Sequence, residues 1–416
     1  MCDTYSRYLH GWLQSYISTW SYAERVQVKS IAHCCSKTLM DRTVFLARRP
    51  KSQQAMIYGL TTCKNTFGCP ICTPMRMAKF RSKIGVLLDA LRDKYYAFMV
   101  TFTIPHAAYQ SCKEVSDILY NTWRLFNLQK GAHKFKKDGT PKYDSIVNEW
   151  WIKSQIKYNV RGYEYTWSRQ NGWHAHFHCL FWVPRYLVDV AFSFEQELQN
   201  YWDKIAKLKT LQYWQKNKLY GTDEQRQKRL EALFWTTRKK RHSGLLISKH
   251  EAKSSEYIAS WGKDLELTGG NYKQHKNGNL SPEQILEKAP NDNFFAELYK
   301  EYLLNVTRKP VHQRMSFSPG MNKIAVTYMN TQKYKEVIKK NISQKEDWEI
   351  VGWLSAEDWL KCYELNFSCP FISNMLWLAG HAPNLLSGFL AAQGISLHFS
   401  QHLFQKDVLK QMNHSA

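Results

Sequence analysis

The chain has 416 residues, 44% hydrophobic and 14% aromatic, and a formal net charge of +23 from 58 Lys+Arg against 35 Asp+Glu. This length suits two or three domains, and the apolar content builds a sizeable core and excludes wholesale disorder. Positive charge in excess along the whole chain points to an extended polyanion, most simply nucleic acid. A small anionic metabolite would need only a local basic pocket.

The opening stretch MCDTYSRYLHGWLQSYISTW lacks a basic start, an apolar core and a small-residue cleavage site, so no signal peptide is expected. No run approaches the ~18 consecutive apolar residues of a membrane helix. A tail without formal charge between Glu364 and Lys406 is expected to form packed helices, with no membrane span. Ten cysteines without a secretory signal argue against a disulfide framework, and the tight clustering of three suggests metal binding.

Four zones are expected: 1–92 with the cysteine cluster, a 93–265 domain, a basic loop and helical extension over 266–330, and a helical 331–416 region. In the first, Met77, Phe80, Ile84, Leu87, Leu88 and Leu91 follow a helical period. Cys63, Cys69 and Cys72 form a C-x5-C-P-I-C pattern whose CPxC turn suits thiolates on one structural zinc. The fourth ligand is most simply Cys35 or Cys34, with His33 a remoter option, and Cys35 is taken into the ligand set.

In the second zone, YAFMVTFTIP (Tyr96 to Pro105) reads as a buried strand and KEVSDILYNTWRLFNLQK as a helix. GAHKFKKDGTPKYDS reads as a basic loop. VRGYEYTWS and WHAHFHCLFWV flank an Asn-Gly turn, a strong hairpin signal. A Lys/Arg-rich helical stretch, a short strand at SGLLISKH and a helix from Glu251 to Leu267 complete an α+β domain of mostly antiparallel sheet with helices. Further on, Ser281 reads as an N-cap with Gln284 at the capping-box position, and LSAEDWLKCYEL is a second capped helix.

The second hairpin strand carries His174, His176 and His178 at every second position, so all three share one face. Ala175, Phe177, Cys179 and Phe181 take the other. Three imidazoles on one buried face are satisfied together by a divalent cation. Glu164, on the neighbouring strand, faces them in the right register and supplies an oxygen ligand. Two histidines and an oxygen leave positions open for substrate, which suits Mg or Mn.

HAHFHCLFW resembles the His-hydrophobic-His motif of the HUH endonucleases and, more narrowly, a GWHPHFHVL-type segment of plasmid rolling-circle replication initiators. AFMVTFTIP is similar to their first, Thr-containing motif, and EYIASWGKDLEL to the third, which carries a nucleophilic tyrosine. CKNTFGCPICTPMRMAKFR resembles the cysteine segment before the catalytic domain. The motifs occur in family order over roughly residues 34–290.

The resemblance implies an HUH/RRM-like nuclease domain in which His176 and His178 are the ligand pair, Glu164 the third ligand and His174 a weaker candidate. It implies Tyr257 as nucleophile, attacking a phosphodiester to leave a 5′-phosphotyrosine and a free 3′-hydroxyl. The family's lysine three residues after the tyrosine is Ser260 here. Lys253, four residues before Tyr257, is expected to substitute. With a single tyrosine, the closing step needs a water activated by a carboxylate such as Glu256 or Glu251.

The implied function is origin nicking and rejoining in rolling-circle replication of a plasmid or phage, in the bacterial cytoplasm, with host helicase and polymerase as partners and no membrane. A single-strand transposase of the same superfamily is the alternative within this chemistry, and a non-enzymatic zinc-containing DNA-binding regulator the alternative outside it. Arg238, Lys239, Lys240 and Arg241 form the densest basic run and are expected to contact DNA phosphates, with nearby aromatic rings stacking on bases.

Overall fold

The structure is a computed structural model that describes residues 4–39, 43–128, 145–240, 244–252, 278–308, 313–331, 347–366 and 371–399. Among the described residues the fold is α+β, with two antiparallel sheets and 14 α-helices. In chain order these are α1 (Thr4–Ser18), α2 (Tyr22–Ala32), β1 (Val44–Arg49), β2 (Gln54–Tyr58), α3 (Cys72–Leu91), β3 (Tyr95–Thr103), α4 (Cys112–Leu128) and α5 (Ile146–Lys153). Then follow β4 (Tyr158–Ser168), β5 (Gly172–Pro184), α6 (Val188–Ser193), α7 (Glu195–Lys216), α8 (Asp223–Lys240) and β6 (Leu245–Ser248). The remainder is α9 (Pro282–Lys288), α10 (Asn293–Thr307), β7 (Met315–Phe317), α11 (Met321–Met329), β8 (Glu349–Leu354), α12 (Ala356–Leu365), α13 (Phe371–His381) and α14 (Pro383–Ala391).

The four sequence zones fold as two compact units. One comprises 1–77, 286–311 and 332–416, the other 78–285 and 312–331. The first boundary falls inside α3, after Met77, and not near residue 92. The 331–416 region is not a separate helical body. β8 pairs antiparallel with β1 in a sheet of order β2-β1-β8. In the same unit α12 braces the cysteine turn, with Trp359 Nε1 donating to the Cys35 carbonyl at 2.9 Å and Tyr363 Oη to the Ala32 carbonyl at 2.8 Å. The uncharged tail forms α13 and α14, whose Met375, Leu376, Leu386 and Leu390 are buried. Among the described residues no helix is long and apolar enough to cross a membrane.

The second unit is built on a five-stranded sheet of order β6-β3-β5-β4-β7, antiparallel at every junction. β5 lies at its centre because its apolar alternate residues fill one face. Phe177 packs against Trp123 of α4 with ring centroids 5.4 Å apart, and Phe181 against Trp150 of α5 at 5.3 Å. Phe102 of β3 adds contacts to Trp123, Phe126 and Trp202. Glu114 ties α4 to α7 with a buried carboxylate that accepts hydrogen bonds from Gln110, Trp214 and Tyr220, so its charge is satisfied without a cation.

The β4–β5 hairpin closes on the pair Ser168↔Gly172 with Arg169, Gln170 and Asn171 in the loop. Gly172 has φ +69°, and a Cβ there would lie 2.8 Å from the Ala108 Cα. The turn is thus a three-residue loop with glycine in the left-handed position, not a two-residue Asn-Gly turn. That closure fixes the register of every residue that follows.

Candidate functional site

Ladder pairing decides which side chains meet. β4 and β5 pair Glu164↔His176, Gly162↔His178 and Thr166↔His174. β3 and β5 pair Thr101↔His178 and Thr103↔His176. Directly opposed residues in an antiparallel pair lie on the same face. Glu164, His176, His178, Thr101 and Thr103 therefore share the face opposite the α4–α7 layer.

Glu164 Oε2 lies 3.1 Å from His176 Nε2 and 3.3 Å from His178 Nε2. All three residues are less than 10% exposed, and their ligand atoms fall within 4.8 Å of one another. Burial alone would raise the Glu164 carboxyl. Hydrogen bonds and positive charge from His176 and His178 outweigh it and hold the group well below the usual carboxylate range. Thr101 Oγ1 lies 3.0 Å from His178 Nδ1. An Nδ1–H donated to this hydroxyl would leave Nε2 free to bind a cation placed between His178 and Glu164, the orientation a metal ligand needs. Two imidazoles and one carboxylate suit a divalent cation that keeps open positions.

His174 is on the expected face but outside this group. Its Nδ1 lies 3.0 Å from His106 Nε2, with the rings edge to face at 4.7 Å. Its place in the ligand set is therefore corrected: its ladder partner is Thr166, not Glu164, and its ring meets His106 in the loop after β3. His106 was missed by sequence reading, although it directly follows the proline that ends the β3 motif.

The cysteines form a second group. Cys34, Cys63, Cys69 and Cys72 place their sulfurs within 4.8 Å of one another, with Cys34–Cys72 and Cys63–Cys72 both at 3.5 Å. This four-thiol cluster is able to hold a metal ion such as zinc. Backbone N–H groups of Cys63, Asn65 and Cys72 point at the sulfurs of Cys34, Cys63 and Cys69, each at 3.4 Å, and so stabilise thiolates. Hydrogen bonds from Cys34, Cys63 and Cys69 lower the Cys72 thiol, whereas burial raises that of Cys69.

The fourth thiol is Cys34, which corrects the choice of Cys35. Cys35 adopts a left-handed φ of +63°, and its N–H donates to the Thr61 carbonyl at 2.9 Å. That backbone turn delivers the preceding side chain into the cluster. Cys112, Cys179 and Cys362, outside this cluster, are buried.

The remaining sequence assignments divide as follows. Tyr257, Lys253, Ser260, Glu256 and Arg241, together with the basic 131–144 loop, lie outside the described residues. Arg238, Lys239 and Lys240 fall in the last turn of α8. Trp235, nearby on the same helix, is 64% exposed beside a groove of about 400 Å³ lined also by Lys207, Glu231, Ala232 and Phe234. Glu251 pairs with Arg185 at 2.5 Å, just past the end of β5. Arg185 is seven residues beyond His178, roughly 23 Å along an extended chain, so the Glu251 carboxylate is engaged far from the histidines.

No protein-family model, curated protein or solved structure matches the chain.

Proposed function

We propose that the chain is a DNA strand transferase of the rolling-circle initiator kind, with the five-stranded sheet as an HUH/RRM-like nicking domain. The observation that carries this reading is Glu164 Oε2 set 3.1 and 3.3 Å from the two Nε2 atoms of a His-Phe-His strand. The motif order along the sequence and the +23 charge support it.

In this reading His176, His178 and Glu164 hold Mg or Mn. When bound, the cation neutralises charge on a backbone phosphate and favours attack at phosphorus. Thr101 fixes the His178 ring. The apolar face of β5, packed under Phe177 and Phe181, keeps the two imidazoles rigid. The Tyr257 oxygen gives up its proton to water and attacks phosphorus, the bond to the 3′-oxygen breaks, and the 3′-oxygen leaves as a hydroxyl after taking up a proton from water, so no net proton is consumed. The phosphodiester is conserved as a 5′-phosphotyrosine, so the 3′-hydroxyl primes synthesis and later reverses the step. Lys253 supplies the positive charge that Ser260 does not. The end of α8 contacts the DNA backbone, and exposed Trp235 offers a stacking surface for an unpaired base. The four-cysteine cluster holds zinc as a structural element of the other unit.

The test is covalent capture. A labelled hairpin oligonucleotide incubated with Mn2+ is expected to leave an SDS-stable adduct mapped to Tyr257, and His176→Ala is expected to form none. An adduct formed equally well by His176→Ala refutes the assignment of the centre.

A further inference from the structure

The loop between β3 and α4 leads away from the histidine strand and carries an exposed tyrosine, Tyr109, that the proposed chemistry leaves unused. His106 starts the loop beside the site, with Nε2 3.0 Å from His174 Nδ1. Ala108 lies against the hairpin turn, where a Cβ on Gly172 would come 2.8 Å from its Cα. Side chains lock the loop in place. Ala107 N donates to Gln110 Oε1 at 2.8 Å, and Gln110 Nε2 donates to the buried Glu114 carboxylate at 2.7 Å. The same carboxylate accepts from Tyr220 Oη at 2.8 Å. One buried charge thus ties the loop to the connection between α7 and α8, and the Tyr109 and Tyr220 rings meet edge to face at 5.4 Å.

α8 brings a cation to this pair of rings. Arg229 Cζ lies 5.1 Å from the Tyr109 ring centroid and 4.9 Å from that of Tyr220, within cation–π range of both. Arg229 is exposed, and so is half of Tyr109. Arg226, one turn earlier, pairs with Asp223 at 2.6 Å. Among the described residues no carboxylate pairs with Arg229. The result is a positive charge held against two rings, next to a half-open aromatic surface. A nucleotide offers the matching groups, an anionic phosphate and a flat base. The base must be unpaired, because bases within a duplex are already stacked on one another. The position fits as well. Tyr109 follows His106 by three residues, so their Cα atoms are at most about 11 Å apart, roughly the length of three stacked nucleotides. In the other direction, about 14 Å of helix separates Arg229 from Arg238 in the basic last turn of α8.

We propose that Tyr109 and Arg229 form a clamp for single-stranded DNA, in which the tyrosine ring stacks on an unpaired base and the guanidinium neutralises an adjoining phosphate. This rests on the reading of the chain as one that acts on DNA. Neither residue touches the reacting atoms, so both are positioning residues, and the Glu114 network presets their geometry before the strand arrives.

The experiment is fluorescence anisotropy of a labelled oligothymidylate with the full zinc-loaded chain, without added Mg2+ or Mn2+, over a range of salt. Tyr109→Leu keeps apolar bulk against Tyr220 but removes the stacking face. It should weaken binding at least fivefold, the low end for losing one stacked base. Tyr109→Phe should bind within twofold of wild type. Arg229→Gln should lower the steepness of log Kd against log salt by about 0.7, the share of one phosphate on a single strand. On a duplex of the same length Tyr109→Leu should match wild type within twofold. Wild-type affinity in Tyr109→Leu, an equal loss in Tyr109→Phe, or an equal loss on the duplex overturns the stacking assignment. An unchanged salt dependence in Arg229→Gln overturns the phosphate contact. Tighter binding of oligouridylate than of oligothymidylate overturns the assignment to DNA. Failure of covalent capture with these binding results intact would sink strand transfer and leave the clamp standing. Failure of wild type to bind oligothymidylate overturns both.

Discussion

Replacing Thr101 with valine removes the hydroxyl 3.0 Å from His178 Nδ1 and keeps the volume and β-branching of the side chain. With a cation bound, that hydrogen bond would select the imidazole tautomer whose Nε2 lone pair ligates the cation beside Glu164. Without it, the Nδ1–H of a cation-bound His178 has lost its acceptor on a buried face. One neutral hydrogen bond contributes about 1 kcal/mol net, and an unsatisfied buried donor costs about 1–3 kcal/mol. The expected loss is therefore about 1–2 kcal/mol of cation affinity, or roughly five- to thirtyfold in Kd. That range overlaps the general effect of removing a partner that orients a histidine ligand. The assay is Mn2+ binding by isothermal titration calorimetry, with Thr101→Ser expected to recover most of the affinity. If Thr101→Val binds Mn2+ within twofold of wild type, the tautomer argument is wrong. If Thr101→Ser is as weak as Thr101→Val, packing and not the hydroxyl sets the effect.

Two other outcomes are expected. Cys34→Ser should lose stoichiometric zinc by elemental analysis and Cys35→Ser should keep it; the reverse result would reassign the fourth ligand. His10 is buried with Nε2 3.1 Å from the Ile31 carbonyl, and desolvation is the main cause that lowers its pKa from 6.5 to about 4. A depressed histidine is neutral in the folded protein but takes a proton on unfolding at any pH between those two values. Its contribution is therefore complete above pH 6.5 and is lost as pH falls toward 4, by about 2 kcal/mol between pH 7 and 5. NMR titration of the His10 ring should find a midpoint near 4, and His10→Gln should flatten the urea-measured stability of its unit over that window. A midpoint near 6.5 would contradict the burial argument.

Local physics made much of the site legible in the sequence. Side chains alternate along any strand, so His176 and His178 had to share a face whatever the fold, and the turn between the two runs had to pair VRGYEYTWS with WHAHFHCLFWV. Glu164 was a candidate only in one register: a two-residue Asn-Gly turn would set it opposite Cys179 on the core face, and the three-residue loop sets it opposite His176. The CPxC spacing likewise assembled three thiols without help from the rest of the chain.

What the sequence left open depends on contacts between distant segments. Cys34 and Cys35 are equivalent in a linear reading. The left-handed backbone at Cys35, held by Thr61 and by Trp359 from 324 residues away, chooses between them. The region after residue 330 looked like a separate helical body because nothing local announces that Glu349–Leu354 pairs with Val44–Arg49. His106 meets His174 only because β3 ends beside the hairpin. Periodicity and turn chemistry act over a few residues and fix which side chains share a face. Burial and electrostatic coupling are properties of the packed chain, and only the tertiary structure decided them.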